Sequence, residues 1–259
     1  MILPINCDMK KTLERQLIEY TTESNLSLFN QILELKKQSV LNKNEIDANY
    51  YWLLEHIYNV KSLYHKSFEL IKENEFEKAW NDLDRCDITI GELLENADES
   101  WLTEFGIIFI KEQIHEFQKL FPYFLFISRE AIIKREICSI CGQEIKLRGR
   151  CEHKIGKLYM GDICSAIVID AKVLSFSIVT NPFDKCCILK CPDVEYNYSI
   201  LKEAITKIPN PYRRISVIKD YIFKENLDQQ ELIPHTFEWL RQIERIEYSL
   251  IVDNNKFVL

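Results

Sequence analysis

The sequence predicts a mainly α-helical fold, a helical bundle into which a small β module is inserted. Apolar residues recur at helical spacing over residues 1–127 and again after residue 198. Four of the six glycines stand between residues 142 and 161, where cysteines also concentrate. Because glycine permits tight turns, we expect this middle segment to form loops and short ribbons.

The N-terminal part is predicted to consist of successive helices. Apolar positions between residues 9 and 41 keep a helical period with a break near Thr22–Asn25, and Ile46–Lys72 repeats the pattern. Asp98 and Ser100 have side chains suited to N-capping, which predicts a further helix over Trp101–Leu120.

The predicted secondary structure of the remainder of the chain changes twice, first to strands and then back to helices. The stretch AIVIDAKVLSFSIVTNP (residues 166–182) is rich in β-branched residues and predicts one or two strands, with a turn near Asp170 and Ala171. Helical spacing returns in SILKEAITKI, RRISVIKDYIFKENL and TFEWLRQIERIEYSLI. The predicted organisation is a helical domain over 1–127, a β-rich module over 128–192 and a helical segment over 193–259.

The composition and charge of the sequence limit the partners and the cellular location that we expect for the protein. A formal net charge of -7 gives the chain no general attraction to nucleic acid or to anionic membranes. The N-terminal residues do not resemble a secretory signal, and the longest apolar run, FPYFLFI, is too short to span a bilayer. We therefore expect a cytoplasmic protein without a membrane partner, in which the nine cysteines are thiols or metal ligands.

The stretch CSICGQEIKLRGRCEHKIGKLYMGDIC, residues 138–164, has the spacing of a metal site. Cys138 and Cys141 form a CxxC pair that can place both sulfurs on one ion. Cys151, His153 and Cys164 are three candidates for the two remaining tetrahedral positions. The preferred set is Cys138, Cys141, His153 and Cys164, with Cys151 the alternative to either of the last two.

The predicted ion is structural zinc, because mixed thiolate and imidazole ligands favour Zn²⁺ and four protein ligands leave no place for a reacting water. No H-x-E or HExxH spacing is present, and no catalytic residue is assigned. The alternative is that these cysteines are buried free thiols that pack as small apolar side chains. With the metal included, the predicted fold is a helical bundle with a zinc-stabilised β module.

The order of motifs CSICG, C-x-H, G-x-x-Y-x-G, Cys164 and SIVTNP resembles an uncharacterised bacterial zinc-binding segment, in some cases carried by phages. The resemblance covers about residues 136–190 and implies metal binding without naming a function. LSFSIVTNP is also similar to a strand of phage prohead proteases whose glutamate is implicated in catalysis. Ser175 stands at the corresponding position, so the similarity carries over the strand and no catalytic residue.

Between residues 134 and 157 there are seven lysines and arginines and three glutamates, a local net charge of +4. Such a loop can contact phosphates. Its candidate nucleic-acid contacts are Lys146, Arg148, Arg150, Lys154 and Lys157.

The sequence therefore predicts a non-enzymatic zinc-binding protein that interacts with an unknown protein partner or acts in assembly. Nucleic-acid binding through the basic loop is the alternative, and a metal-dependent hydrolase is the third and least favoured interpretation.

Overall fold

Seven helices and two small antiparallel sheets make up the described part of the chain. The structure, a computed structural model, describes residues 7–20, 26–146, 149, 151–191, 195–207 and 211. The helices are α1 (Cys7–Glu19), α2 (Leu26–Leu41), α3 (Glu45–Lys72), α4 (Phe76–Asn96), α5 (Glu99–Glu104), α6 (Ile107–Gln118) and α7 (Ser199–Lys207). The strands are β1 (Phe126–Cys138), β2 (Leu158–Tyr159), β3 (Asp162–Ile163) and β4 (Ala166–Val179).

The predicted mainly α-helical class is confirmed. No helix in these described ranges combines the length and the apolarity needed to cross a membrane. The two predicted helices after residue 211 lie outside the described residues. The division into parts at residues 127 and 192 stays a prediction.

Helix α3 is the longest element and organises the helical core. Its N-terminus is capped by Asn44, whose side-chain oxygen accepts a hydrogen bond from the backbone N–H of Asp47 at 3.2 Å, and Asn44 Nδ2 donates to Asp47 Oδ2 at 2.8 Å. A short turn at residues 73–75, with Asn74 in the left-handed region at φ 64°, reverses the chain into α4. α3 packs against α1, α2, α4 and α6. Its fully buried side chains include Tyr51, Leu54, Ile57 and Tyr64.

One predicted helix is divided in two. Asp98 caps as expected, because its carboxylate accepts from Ser100 N at 2.9 Å. The helix then stops at Glu104 and resumes at Ile107. Gly106 takes φ 76°, a left-handed conformation that interrupts helical hydrogen bonding and that glycine adopts without steric cost.

β1 and β4 pair over their whole length as a two-stranded antiparallel ribbon, from Phe126↔Val179 to Cys138↔Ala166. The predicted turn near Asp170 is wrong, because β4 runs without interruption through it. The register instead shifts between Glu130 and Ala131 and on both sides of Arg135, which marks β-bulges. A bulge absorbs an extra residue without reversing the strand.

Aromatic packing fixes the first end of the ribbon to the helices. The Trp80 ring, on α4, lies against the rings of Phe121, Tyr123 and Phe126, with centroids 5.2, 5.1 and 6.0 Å away. Trp80 Nε1 donates to the carbonyl oxygen of Lys185 at 2.7 Å. The start of β1 is therefore held at the first turns of α4.

Lys61 is an ionisable group inside the helical core, 2% exposed. Its Nζ donates to the carbonyl oxygen of Leu17 at 2.6 Å and to that of Ile18 at 3.4 Å, at the C-terminal end of α1. Burial lowers the pKa of Lys61 from its ordinary value of 10.5 to about 8. Folding therefore favours the neutral amine.

We expect this lysine to make stability rise with pH. Between the folded pKa of about 8 and the ordinary value of 10.5, the unfolded chain holds a proton that the folded chain has released. The free energy of unfolding should therefore increase over this window, by about 3 kcal/mol in the limit. Urea unfolding of the wild type and of Lys61→Met across the window measures the effect. The free energy of unfolding of the wild type, minus that of Lys61→Met, should increase with pH. Parallel pH profiles of the two proteins would contradict a lowered pKa for Lys61.

Candidate metal centre

The CxxC pair forms a tight turn at the end of β1. Gly142 N donates to Cys138 O, and Cys138 N donates to Gln143 O, both at 2.8 Å. Gly142 takes φ 71°, which allows the chain to reverse at this point. The backbone N–H groups of Ile140 and Cys141 donate to the Cys138 sulfur. The turn therefore surrounds this sulfur with donors that favour its thiolate.

A β-hairpin brings Cys164 to the same place. β2 and β3 are joined through Met160 and Gly161, which take φ 51° and 81°, the positive pair that a type I′ turn requires. Cys164 N donates to Lys157 O at 2.8 Å, which extends the hairpin. Across the ribbon, Ser139 N donates to Ser165 O at 2.9 Å. This pairing sets Cys164 directly beside Cys138.

Four potential ligand atoms converge at this point. One atom from each of Cys138, Cys141, Cys151 and His153 lies within 4.8 Å of the other three. The sulfur of Cys164 is 3.7 Å from that of Cys138. Two thiolates on one tetrahedral zinc, each about 2.3 Å from the ion, are about 3.8 Å apart. The group of four therefore includes Cys151, which the sequence placed outside the preferred set, and leaves out Cys164, which the preferred set included and which lies beside Cys138.

His153 is held by an aromatic neighbour. Its ring meets that of Tyr159 edge-on, with centroids 4.6 Å apart and an interplanar angle of 87°. The Tyr159 hydroxyl accepts from the backbone N–H of Lys154 at 2.9 Å. The Nδ1 atom of His153 is buried and has no hydrogen-bond partner among the described residues. A buried ring nitrogen without a donor or acceptor is suited to a metal ion.

The cysteines differ in how readily they release a proton. Burial raises the pKa of Cys138, but hydrogen bonds from the backbone N–H groups of Cys141 and Ile140 outweigh it, and the pKa falls to about 6. Burial raises the pKa of Cys164 to about 11. It also raises the pKa of Cys151, against a hydrogen bond from the backbone of His153. Either of these two thiols would therefore release its proton on binding a cation.

Side chains of α3 and α4 anchor this loop to the helical core. Gly161 N donates to Asn49 Oδ1 at 2.7 Å, and Asn96 Nδ2 donates to Gly156 O at 2.8 Å. Lys157 Nζ donates to the carbonyl oxygen of Glu95 near the C-terminus of α4. A Cβ at Gly161 would stand 3.3 Å from the backbone oxygen of Ala48. Sequence reasoning missed both asparagines, because a polar residue on a helix carries no local signal of a distant partner.

The basic residues of the loop are partly engaged within the protein. Lys146 Nζ lies 3.0 Å from the carboxylate of Glu144, and Lys157 contacts the end of α4. Lys154 is exposed. Arg148 and Arg150 lie outside the described residues. The nucleic-acid interface therefore stays a prediction.

A second group of potential ligands consists of Asp84, Asp184 and Cys186. The Cys186 thiol donates to Asp84 Oδ2 at 3.2 Å. Cys186 is partly exposed, but desolvation of its sulfur and the hydrogen bond to the Asp84 carboxylate raise its pKa to about 12, so the thiol stays protonated as a donor. Hydrogen bonds from Cys186 to the two carboxylates explain why these three side chains lie together. Of the three cysteines in CCILKC (residues 186–191), Cys191 is buried, Cys187 half-buried and Cys186 exposed.

No protein-family model, curated protein or solved structure matches this chain.

Proposed function

We propose that the chain is a non-enzymatic zinc-binding protein in which the metal fixes a loop for interaction or assembly. The observation that carries the proposal is the convergence of three sulfurs and one histidine nitrogen within 4.8 Å. Cys138, Cys141 and Cys151 take three positions, and the fourth falls to His153 or Cys164. Thiolate-rich tetrahedral sites with an optional imidazole are typical of zinc.

A structural role for the ion is supported by the number of ligands. Five protein groups compete for four positions, so a water molecule has no position of its own. Among the described residues, the loop contacts α3 and α4 chiefly through Asn49, Asn96 and Lys157. An ion that joins the end of β1 to residues 151–153 would fix the loop against α3 and α4.

An interaction role is supported by the surface next to the site. The β1–β4 ribbon, which ends at the cysteine-rich loop of residues 139–165, leaves eight large apolar side chains exposed. They are Ile132, Ile133, Ile167, Val168, Ile169, Val173, Leu174 and Phe176. Exposed apolar surface of this extent marks sites where proteins bind one another.

Metal content per chain tests the proposal most directly. Protein purified without added metal should contain about one zinc per chain. Serine at position 138, 141 or 151 should abolish binding, whereas only one of His153→Ala and Cys164→Ser should do so. Cys187→Ser is the matched control, because this half-buried thiol lies outside the site and should leave zinc bound.

Substitution by Co²⁺ separates a closed structural site from an open catalytic one. A closed site should give the strong visible absorption of tetrahedral cobalt thiolate, unchanged by added azide. The same spectrum counts the sulfurs and so identifies the fourth ligand. A wild type without metal would overturn the proposal, and an azide-sensitive spectrum would favour the hydrolase interpretation.

A further inference from the structure

Cys164 is a fifth potential ligand at a site that needs four. One ligand atom from each of Cys138, Cys141, Cys151 and His153 lies within 4.8 Å of the other three, and Cys164 stands outside this group. The buried Nδ1 atom of His153 has no hydrogen-bond partner among the described residues, so an ion bound there would satisfy it. With His153 in the fourth position, the Cys164 thiol has no place on the ion.

Backbone hydrogen bonds on both sides of Cys164 hold its sulfur beside that of Cys138. Ser139, the residue after Cys138, donates its N–H to Ser165 O at 2.9 Å, and its hydroxyl oxygen accepts from Ser165 N at 2.9 Å. The same hydroxyl donates to Ile163 O at 3.4 Å. Both cysteines are buried, and their sulfurs lie 3.7 Å apart. A disulfide bond of about 2.05 Å needs an approach of about 1.7 Å, which rotation about the two Cα–Cβ bonds can supply.

We infer that oxidation joins Cys138 to Cys164 in a disulfide bond and thereby releases the metal, which makes the site redox-sensitive. The inference rests on the proposed zinc-binding function and names a form of regulation for that same site. A sulfur in a disulfide no longer binds the ion, because the ligand is the thiolate. Cys141, Cys151 and His153 would remain, one ligand short of a closed tetrahedral site.

Hydrogen peroxide is the oxidant in this reaction. One S–S bond forms, and the two sulfurs supply the two electrons that break the O–O bond of the peroxide. Its oxygen atoms leave as two water molecules, which take one proton from the Cys164 thiol and one from solvent, because Cys138 is already a thiolate on the ion. Cys141 is exposed, so peroxide reaches the site from the CxxC turn.

The two states differ in which part of the loop is fixed. With zinc bound, Cys151 and His153 are joined through the ion to the turn at Cys138. After oxidation only Cys164 is joined to Cys138, and residues 151–153 have lost the ion. Trypsin should therefore cut after the exposed Lys154 at least about tenfold faster in the oxidised protein.

The test treats the zinc-loaded full-length chain with one equivalent of hydrogen peroxide. Peptide mapping by mass spectrometry should find Cys138 joined to Cys164, and a chromogenic indicator should detect about one zinc released per chain. A thiol reductant with added zinc should reverse both changes. Cys164→Ser should hold zinc before oxidation and release it at least about tenfold more slowly in peroxide. Cys187→Ser is the matched control, a thiol outside the site, and should behave as the wild type.

Cys164→Ala repeats the first variant without placing a hydroxyl at a buried position, and circular dichroism shows whether each variant is folded. If both folded variants lacked zinc, Cys164 would be a ligand and the inference would be overturned. A zinc-loaded wild type that kept its metal in peroxide, or that formed a Cys138–Cys141 disulfide instead, would overturn it and leave the zinc proposal intact. A wild type without zinc would overturn both. The disulfide map of the wild type decides the inference even if both variants misfold.

Discussion

Cys138→Ser should reduce bound zinc from about one per chain to none and lower the melting temperature by about 10 °C. Cys138 stands at the end of β1, and its sulfur lies close to every other ligand candidate. Without the ion, residues 139–165 keep the contacts from Asn49 and Asn96 and lose the bonds that join Cys151 to the turn at Cys138. Thermal unfolding, with limited proteolysis of the loop, measures both effects.

Two comparisons separate loss of the metal from loss of a thiol. A chelator should bring the wild type to the melting temperature of Cys138→Ser and should leave that variant unchanged. Cys187→Ser should behave as the wild type in both measurements. If chelation left the wild type's melting temperature and protease resistance unaltered, the metal would have no structural role.

Trp80→Ala should destabilise the protein by about 3–5 kcal/mol, the usual cost of removing a buried tryptophan. The ring is 4% exposed and packs on Phe121, Tyr123 and Phe126. The substitution removes these contacts and leaves the carbonyl of Lys185 without its indole donor. Urea unfolding of the wild type and the variant gives the difference.

Hydrogen exchange locates the effect of this substitution. The amide of Ile127 donates to Cys187 O at 2.8 Å, and that of Leu189 donates to Leu125 O at 2.9 Å. Both should exchange faster in Trp80→Ala than amides at the centre of α3. Trp80→Phe is the conservative control, expected to cost about 1–3 kcal/mol because it keeps a ring and loses only the N–H donor and part of the volume. Equal stability of Trp80→Ala and wild type would contradict the anchoring role.

Local patterns in the sequence predicted the features that depend on neighbouring residues. Ile46–Lys72 was predicted as a helix because apolar residues repeat along it, and α3 covers Glu45–Lys72. The CxxC turn likewise depends on a few adjacent residues and one glycine. Gly106 misled the prediction of one helix over Trp101–Leu120, since an isolated glycine is compatible with a helix unless its φ is positive.

The candidate metal ligands show what local sequence patterns could not predict. Cys138 and Cys141 form a pair by spacing alone. Cys164 comes beside Cys138 only because β1 and β4 pair in a register that sets Cys138 opposite Ala166. Cys151 and His153 are both placed at the site by a loop whose anchors, Asn49 and Asn96, stand on distant helices. The sequence named five candidate ligands and left open which four of them would bind one ion.

By itself, the sequence determined the helical class and the position of the cysteine-rich stretch with its five candidate ligands, since these follow from periodicity and spacing within short stretches. Only the tertiary structure decided that residues 126–138 and 166–179 form one continuous ribbon, and which side chains share each of its faces. A strand's face is defined by its partner's register, and bulges shift that register. That information resides in contacts between residues far apart in the chain, which no local pattern contains.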